Sequence, residues 1–191
     1  DCNFSYRSSI FRSTESGHYA ILSVTLQFQK TPLQPPFYDS LQKRFDQNNI
    51  TNFTPQIIRE NVLAIRADKL PNPSTTPNAG SFFKNPIIEA WKVDDIRSNG
   101  YSDLPTYPVD ETYMKIPAGW LIEQCDLKGE ILHGIRIHDK NAVVLINQSA
   151  TGYEDLKNAK DQIISAVSEK FQIILEQEPL ELVPPTQIPT L

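Results

Sequence analysis

Apolar residues change their spacing several times along the chain, and each change predicts an element. Residues 19–28 are apolar and β-branched, with Leu22, Val24, Leu26 and Phe28 at alternate positions, which predicts a largely buried strand. A proline-rich stretch then runs through Pro32, Pro35 and Pro36 to Tyr38. It is too long for a simple connection and reads as a flap. The period next becomes helical: Thr54 is placed to cap a helix with Pro55 at its first position, and Ile58, Val62 and Ile65 recur along it to a stop near Lys69.

Residues 71–77 carry three prolines, cannot continue a helix, and are expected to form a domain boundary or hinge. Beyond them the pattern predicts a short helix over residues 118–127 stopped by Gly129. Two strand-like runs follow, 131–138 and 142–146, joined by a turn around Asp139, Lys140 and Asn141. Thr151 to Glu154 fits a capping box for a helix whose apolar stripe is Leu156, Ala159, Ile163 and Val167. A strand at 173–175 leads into an acidic segment with Glu176, Glu178 and Glu181. A loosely packed tail with Pro179, Pro184, Pro185 and Pro189 comes last. Helices interspersed with short strands give an α+β class.

Composition narrows the function classes. The 191 residues are 39% hydrophobic and 21% charged, enough to bury a core in one large or two small domains. A net charge of −5 with no Lys/Arg run offers no patch for nucleic-acid phosphates, and no apolar run approaches the roughly 20 residues of a membrane span. Nucleic acid and membrane are therefore disfavoured as partners. Cys2 and Cys125 are too few for a disulfide framework and too far apart for a zinc site, which points to a reducing, cytoplasmic compartment. The opening at Asp1, with no initiating methionine, points to a truncated or processed polypeptide.

Candidate chemistry concentrates in Asn78-Ala79-Gly80-Ser81-Phe82-Phe83-Lys84-Asn85-Pro86. Small residues before Ser81 let the backbone approach a ligand and set a hydroxyl beside apolar walls. A glycine turn with a capping serine and two core phenylalanines is the plainer reading of the pattern alone. The hydrolase elbow Gly-x-Ser-x-Gly is absent, since Phe83 stands two past Ser81. A neutral hydroxyl can instead protonate a carbanion-like carbon if nearby charges stabilise the enolate. Arg7, with a planar fork of donors for a carboxylate, and Glu178 are candidates, although their spacing does not show that they meet. Lys69 either complements a helix C-terminus or contacts phosphate. His18, His133 and His138 lack metal-ligand spacing.

The nine-residue run resembles the signature of the UDP-N-acetylenolpyruvoylglucosamine reductase family, flavoenzymes of peptidoglycan synthesis that make UDP-N-acetylmuramate. Five further segments resemble it in the same order: Phe4 to Phe11, Lys69-Leu70-Pro71, Ala118 to Gln124, Leu127-Lys128-Gly129 and Val143 to Asn147. The Pro-rich loop with Tyr38 is similar to the flap of the longer, type I form.

The resemblance implies an oxidoreductase in which NADPH reduces FAD and hydride passes to the enolpyruvyl double bond of UDP-N-acetylglucosamine enolpyruvate. Ser81 would protonate the resulting enolate, and Arg7 and Glu178 would stabilise it and its carboxylate. Tyr38, Lys69, Asn85, Tyr107, Lys128 and Asn141 match substrate-binding positions; Tyr6 and Arg66 match positions near the flavin. The intact protein is expected to be a monomer. The family's C-terminal Glu-Pro-Glu reads Glu176-Gln177-Glu178 here, with Pro179-Leu180-Glu181 after it, so Glu181 is an alternative to Glu178. Asn141 stands where the type I form tends to have glutamine. The flavin-binding N-terminal half of the family has no counterpart in the chain. Residues 1–70 are thus expected to be a remnant of that portion with the flap, 71–176 the substrate-binding domain, and 177–191 a tail returning to the flavin portion. A non-catalytic UDP-sugar-binding fragment without flavin is the rival reading; an interaction protein using the proline-rich tail is the weakest.

Overall fold

A computed structural model describes residues 2–181 and has an α+β fold of five α-helices and two antiparallel sheets. Pro184, Pro185 and Pro189 of the expected tail lie outside the described residues.

The N-terminal residues enter through a short turn closed by backbone bonds between Ser5 and Ser8, then a 3-10 turn over Ile10–Arg12. The strand expected over residues 19–28 does not form. The run has no ladder partner, and its apolar side chains lie open to solvent, Leu22 at 94% exposure. Strand-forming composition needs a neighbouring strand for its hydrogen bonds and a face to pack on, and neither is present among the described residues.

Two helices follow, α1 (Asp39–Gln47) and α2 (Pro55–Lys69). The Thr54 hydroxyl accepts from Ile57 N at 3.2 Å and Pro55 occupies the first position, as expected from the sequence. α1 was not anticipated; its signal is the i, i+4 pair Leu41 and Phe45, both buried. They pack with Ile65 into a small cluster sealed by Phe37 and Phe53, whose rings lie 5.0–5.2 Å from one another and from Phe45 in tilted or edge-on pairs.

The main core lies further along the chain. A four-stranded sheet has the order β1 (Asn78–Ser81), β7 (Val144–Asn147), β6 (Ile135–Ile137), β5 (Ile131–Leu132). A second sheet has the order β2 (Ile87–Glu89), β4 (Tyr113–Lys115), β3 (Tyr107–Pro108). Helices α3 (Ala90–Ser98), α4 (Ala118–Gln124) and α5 (Tyr153–Phe171) enclose them. Leu121, Ile122, Ile137, Ala159, Ile163 and Val167 are all fully buried in one cluster.

Several boundaries depart from the sequence expectation for local reasons. The run 131–138 is a hairpin of two short strands, because His133 (φ 50°) and Gly134 (φ 79°) adopt left-handed backbone and reverse the chain. A Cβ at Gly134 would lie 2.7 Å from Ala150 N. Helix α4 stops at Gln124, three residues early, where Asp126 takes φ 58°. The box at the start of α5 uses Asp155 in place of Glu154: its carboxylate accepts from Thr151 N, Gly152 N and the Thr151 hydroxyl. Residues 173–176 are extended without a strand assignment, and Gln177 makes a single antiparallel bridge with Phe83.

Candidate functional site

The signature run begins on β1, at the edge of the four-stranded sheet. Asn78 faces Ile146 and Ser81 faces Val144, so three steps on β1 oppose two on β7: one residue is extra. Gly80, at φ 74°, takes up this bulge, and its N–H donates to the Asn78 side chain at 2.9 Å. The bulge turns Ser81 to the same face as Asn78, where it is exposed. The Asn78 amide in turn donates to Thr76 O at 2.7 Å and Pro71 O at 3.3 Å, bracing the loop before the strand. Phe82 and Phe83 run into the core in an edge-on pair. The plainer reading of the two phenylalanines therefore holds, and Ser81 is the residue left facing solvent.

Asn85 follows at the start of helix α4. Its side-chain oxygen accepts from Ala118 N at 3.0 Å, which leaves the amide N–H groups facing outward as donors.

Arg7 and Glu178, 171 residues apart in sequence, meet in an ion pair of 3.0 Å. Two local structures bring them together. Arg7 sits at φ 55° in the Ser5 to Ser8 turn, a left-handed conformation rare for a residue with a side chain. Glu178 is delivered by the segment after α5, where Lys84 N donates to Glu176 O at 2.8 Å and Glu178 N to Phe82 O at 2.7 Å. Phe82, which accepts the Glu178 N–H, is the residue after Ser81, and the pair is partly open, with side chains 44% and 27% exposed. Glu181, the alternative, is held elsewhere: the Tyr153 hydroxyl, together with Lys160 at 3.0 Å, pulls its carboxyl down to about 2.

A cleft of about 520 Å³ opens beside this pair, lined by Tyr6, Arg7, Lys84, Asn85, Lys92 and Glu176 among others. Lys84 is paired with Glu176 at 2.8 Å, and Lys92 donates to Gln172 O at 2.6 Å. Lys115, on β4, places its ammonium 4.6 Å from the Tyr6 ring centre and 5.8 Å from that of Tyr107. It touches no carboxylate among the described residues, and a flexible ammonium held over two rings is a point charge available to a phosphate. Sequence reasoning missed Lys115. Its signal was position alone, at the C-terminal end of a strand that pairs with Tyr107.

The UDP-N-acetylenolpyruvoylglucosamine reductase C-terminal domain family matches residues 72–182, more than half of the chain. This chain belongs to that family. It is 37% identical over 182 residues to the UDP-N-acetylenolpyruvoylglucosamine reductase of Alcanivorax borkumensis, covering 95% of this chain and 52% of that protein. The proteins of the same name from Porphyromonas gingivalis and Photorhabdus laumondii are 37% and 40% identical, each covering 93% of this chain. The chain spans about half the length of the curated relatives it matches.

Of the positions drawn from the reductase family, Tyr6, Arg7 and Asn85 line one cleft, with Glu178 on Arg7 and Tyr107 joined through Lys115. Others lie apart from it. Tyr38 stands half exposed before α1, and Arg66 and Lys69 are exposed in the last turn of α2. Lys128 pairs with Glu123 at 2.7 Å in the loop after α4. Asn141 turns the chain into β7, its carbonyl accepting from Val144 N. Among the described residues no group of three His, Cys, Asp or Glu could hold a metal, and no helix is long and apolar enough to cross a membrane.

Those residues do not build an FAD site by themselves. A dinucleotide pyrophosphate is held by free N–H groups of a glycine-rich turn at a helix N-terminus. Here α2 is closed by Thr54 and Pro55, and the start of α5 by Asp155. Tyr6, which lines the cleft, is partly exposed.

Proposed function

We propose that the chain is the substrate-side half of a reductase that converts UDP-N-acetylglucosamine enolpyruvate to UDP-N-acetylmuramate in peptidoglycan synthesis. The Arg7 to Glu178 ion pair carries this reading, because two residues far apart in sequence converge beside the strand that exposes Ser81. FAD, held mainly by an N-terminal half with Tyr6 and Arg66 of this chain near it and reduced by NADPH, would supply the hydride. Within this chain, Arg7, oriented by its ion pair with Glu178, holds the substrate carboxylate with its fork of donors and steadies the charge that develops on the enolate. Ser81, a neutral hydroxyl on the bulged edge strand, delivers the proton that completes reduction of the double bond. Asn85, Tyr107 and Lys115 face the diphosphate and sugar. Tyr38, Lys69, Lys128 and Asn141 come within reach of substrate only if the flap and the loops that carry them close over the cleft. Residues 71–176 form the substrate-binding domain, and the enzyme works in the cytoplasm as a monomer.

Joined to the N-terminal half of the Photorhabdus laumondii relative, the chain is expected to give a yellow protein bleached by NADPH and reoxidised by the enolpyruvate substrate. A colourless product that still binds the substrate favours a non-catalytic UDP-sugar-binding fragment. Binding of neither sinks both. In the joined protein, Ser81→Ala should leave flavin reduction by NADPH nearly unchanged and slow reoxidation by substrate by about 10²-fold or more.

A further inference from the structure

The residues around Glu178 are held from both sides by one side chain that no sequence pattern singled out. Lys160 projects from α5, a 19-residue helix whose Ala159, Ile163 and Val167 are fully buried in the main core. Its ammonium donates to Gln177 Oε1 at 3.1 Å and to Glu181 Oε1 at 3.0 Å, one acceptor on each side of Glu178. The Lys160 side chain is only 15% exposed, so solvent competes weakly for these bonds. Backbone bonds at Lys84 N and Glu178 N tie the same segment to the signature run, and the Gln177 amide closes a tight turn onto Pro179 O at 3.1 Å.

We infer that Lys160 is a positioning residue, a clamp from the rigid helix that holds the 177–181 segment so that the Glu178 carboxylate meets Arg7. Nothing else on α5 reaches both sides of Glu178: the Tyr153 hydroxyl touches Glu181 alone. The catalytic part of this inference rests on the proposed reductase function, whereas the clamp itself does not. An ammonium with three donors suits the task, because two acceptors on separate turns can be bridged without a fixed plane.

Amide hydrogen exchange on the 191-residue chain tests the clamp without reference to any reaction. Lys160→Met is expected to speed exchange at Glu178 N–H by about tenfold or more while Ile163 and Val167 amides stay within about twofold. Glu181→Gln, which weakens one arm at a surface position, should give a smaller change of the same kind, and Lys160→Arg should restore most of the protection. Unchanged exchange at Glu178, or loosening of the whole of α5, overturns the clamp.

In the joined, flavin-containing protein, Lys160→Met should slow substrate-driven reoxidation about tenfold, with flavin reduction by NADPH unaffected and Lys160→Arg largely recovered. Loosened exchange together with normal reoxidation overturns the catalytic role. If the unsubstituted joined protein is yellow but never reoxidised by substrate, the function proposed above fails, and the exchange result still decides the clamp.

Discussion

Residues 37–65 and residues 82–175 each bury apolar side chains, but on different scales. The first region has three buried residues edged by half-buried Phe37, Phe53 and aliphatic side chains; the second has a continuous cluster shared by both sheets and three helices. Between the chain start and the small cluster lies the exposed run 19–28, as apolar as β7 and yet without structure. Val144, Leu145 and Ile146 are buried because β1 and β6 flank them; Leu22, Val24 and Leu26 have no flanking strand among the described residues. Composition creates the demand for a partner, and only the rest of the molecule can meet it.

The strongest way to break this contrast is to damage each cluster and read them separately. Ile163→Ala in the main core should destabilise it by about 2–5 kcal/mol, since a fully buried side chain leaves a cavity that the helix closes only in part. Both tryptophans, Trp91 and Trp120, lie in this part of the chain, so their fluorescence in a urea titration follows it. Phe45→Ala, equally buried in the small cluster, should lower helical circular dichroism and leave that fluorescence midpoint unmoved. A coincident shift in both variants would show that the two clusters unfold as one.

A smaller effect is expected at the junction of site and fold. Asn85→Ala removes the acceptor for Ala118 N and should lower stability by about 0.5–2 kcal/mol, the usual range for a lost helix cap. Asn85→Asp keeps the acceptor and should recover the stability, but it replaces an outward donor with a negative charge and should weaken substrate binding. Equal binding by the two variants would remove Asn85 from the site.

How much could be read from sequence follows the same division. Helix α2 was legible because cap, period and stop agree from Thr54 to Lys69, and α5 because its apolar stripe of Leu156, Ala159, Ile163 and Val167 keeps helical spacing. The nine-residue signature was legible as a candidate site through resemblance, and in the fold Ser81 is exposed while Phe82 and Phe83 after it are buried. Periodicity could not reveal the bulge at Gly80 that turns Ser81 outward, because a bulge is a property of two strands in register. The three-stranded sheet was missed: its strands are two or three residues long and carry no alternation to count. Lys115 was missed with it, and the meeting of Arg7 with Glu178 came from resemblance, not from spacing.

A weaker, pH-dependent effect should appear in the main core alone. Burial pushes the His138 imidazole below its usual value, and its Nδ1 is buried with no hydrogen-bond partner. The folded state therefore prefers neutral His138. Its contribution is complete above the unfolded value near 6.5 and declines as pH falls from there toward the lower folded value, because the unfolded chain takes up the proton first. Urea midpoints read by tryptophan fluorescence should fall over that window and do so less in His138→Gln. An identical slope in the variant would assign the pH dependence to other groups.

The smallest expected effect is the most informative about the exposed run. Leu22→Asp with Leu26→Asp should leave the stability of the 191-residue chain within about 0.5 kcal/mol, because both side chains are largely exposed already. The same pair should reduce binding of a hydrophobic dye. In the joined protein the outcome should reverse: a β-branched run with alternate apolar positions then has a strand partner, and two carboxylates on its inner face should destabilise the assembly by several kcal/mol. A double variant as stable as its parent in both contexts would mean that residues 19–28 remain without a partner even when the relative's N-terminal half is joined, and that their composition does not encode a strand.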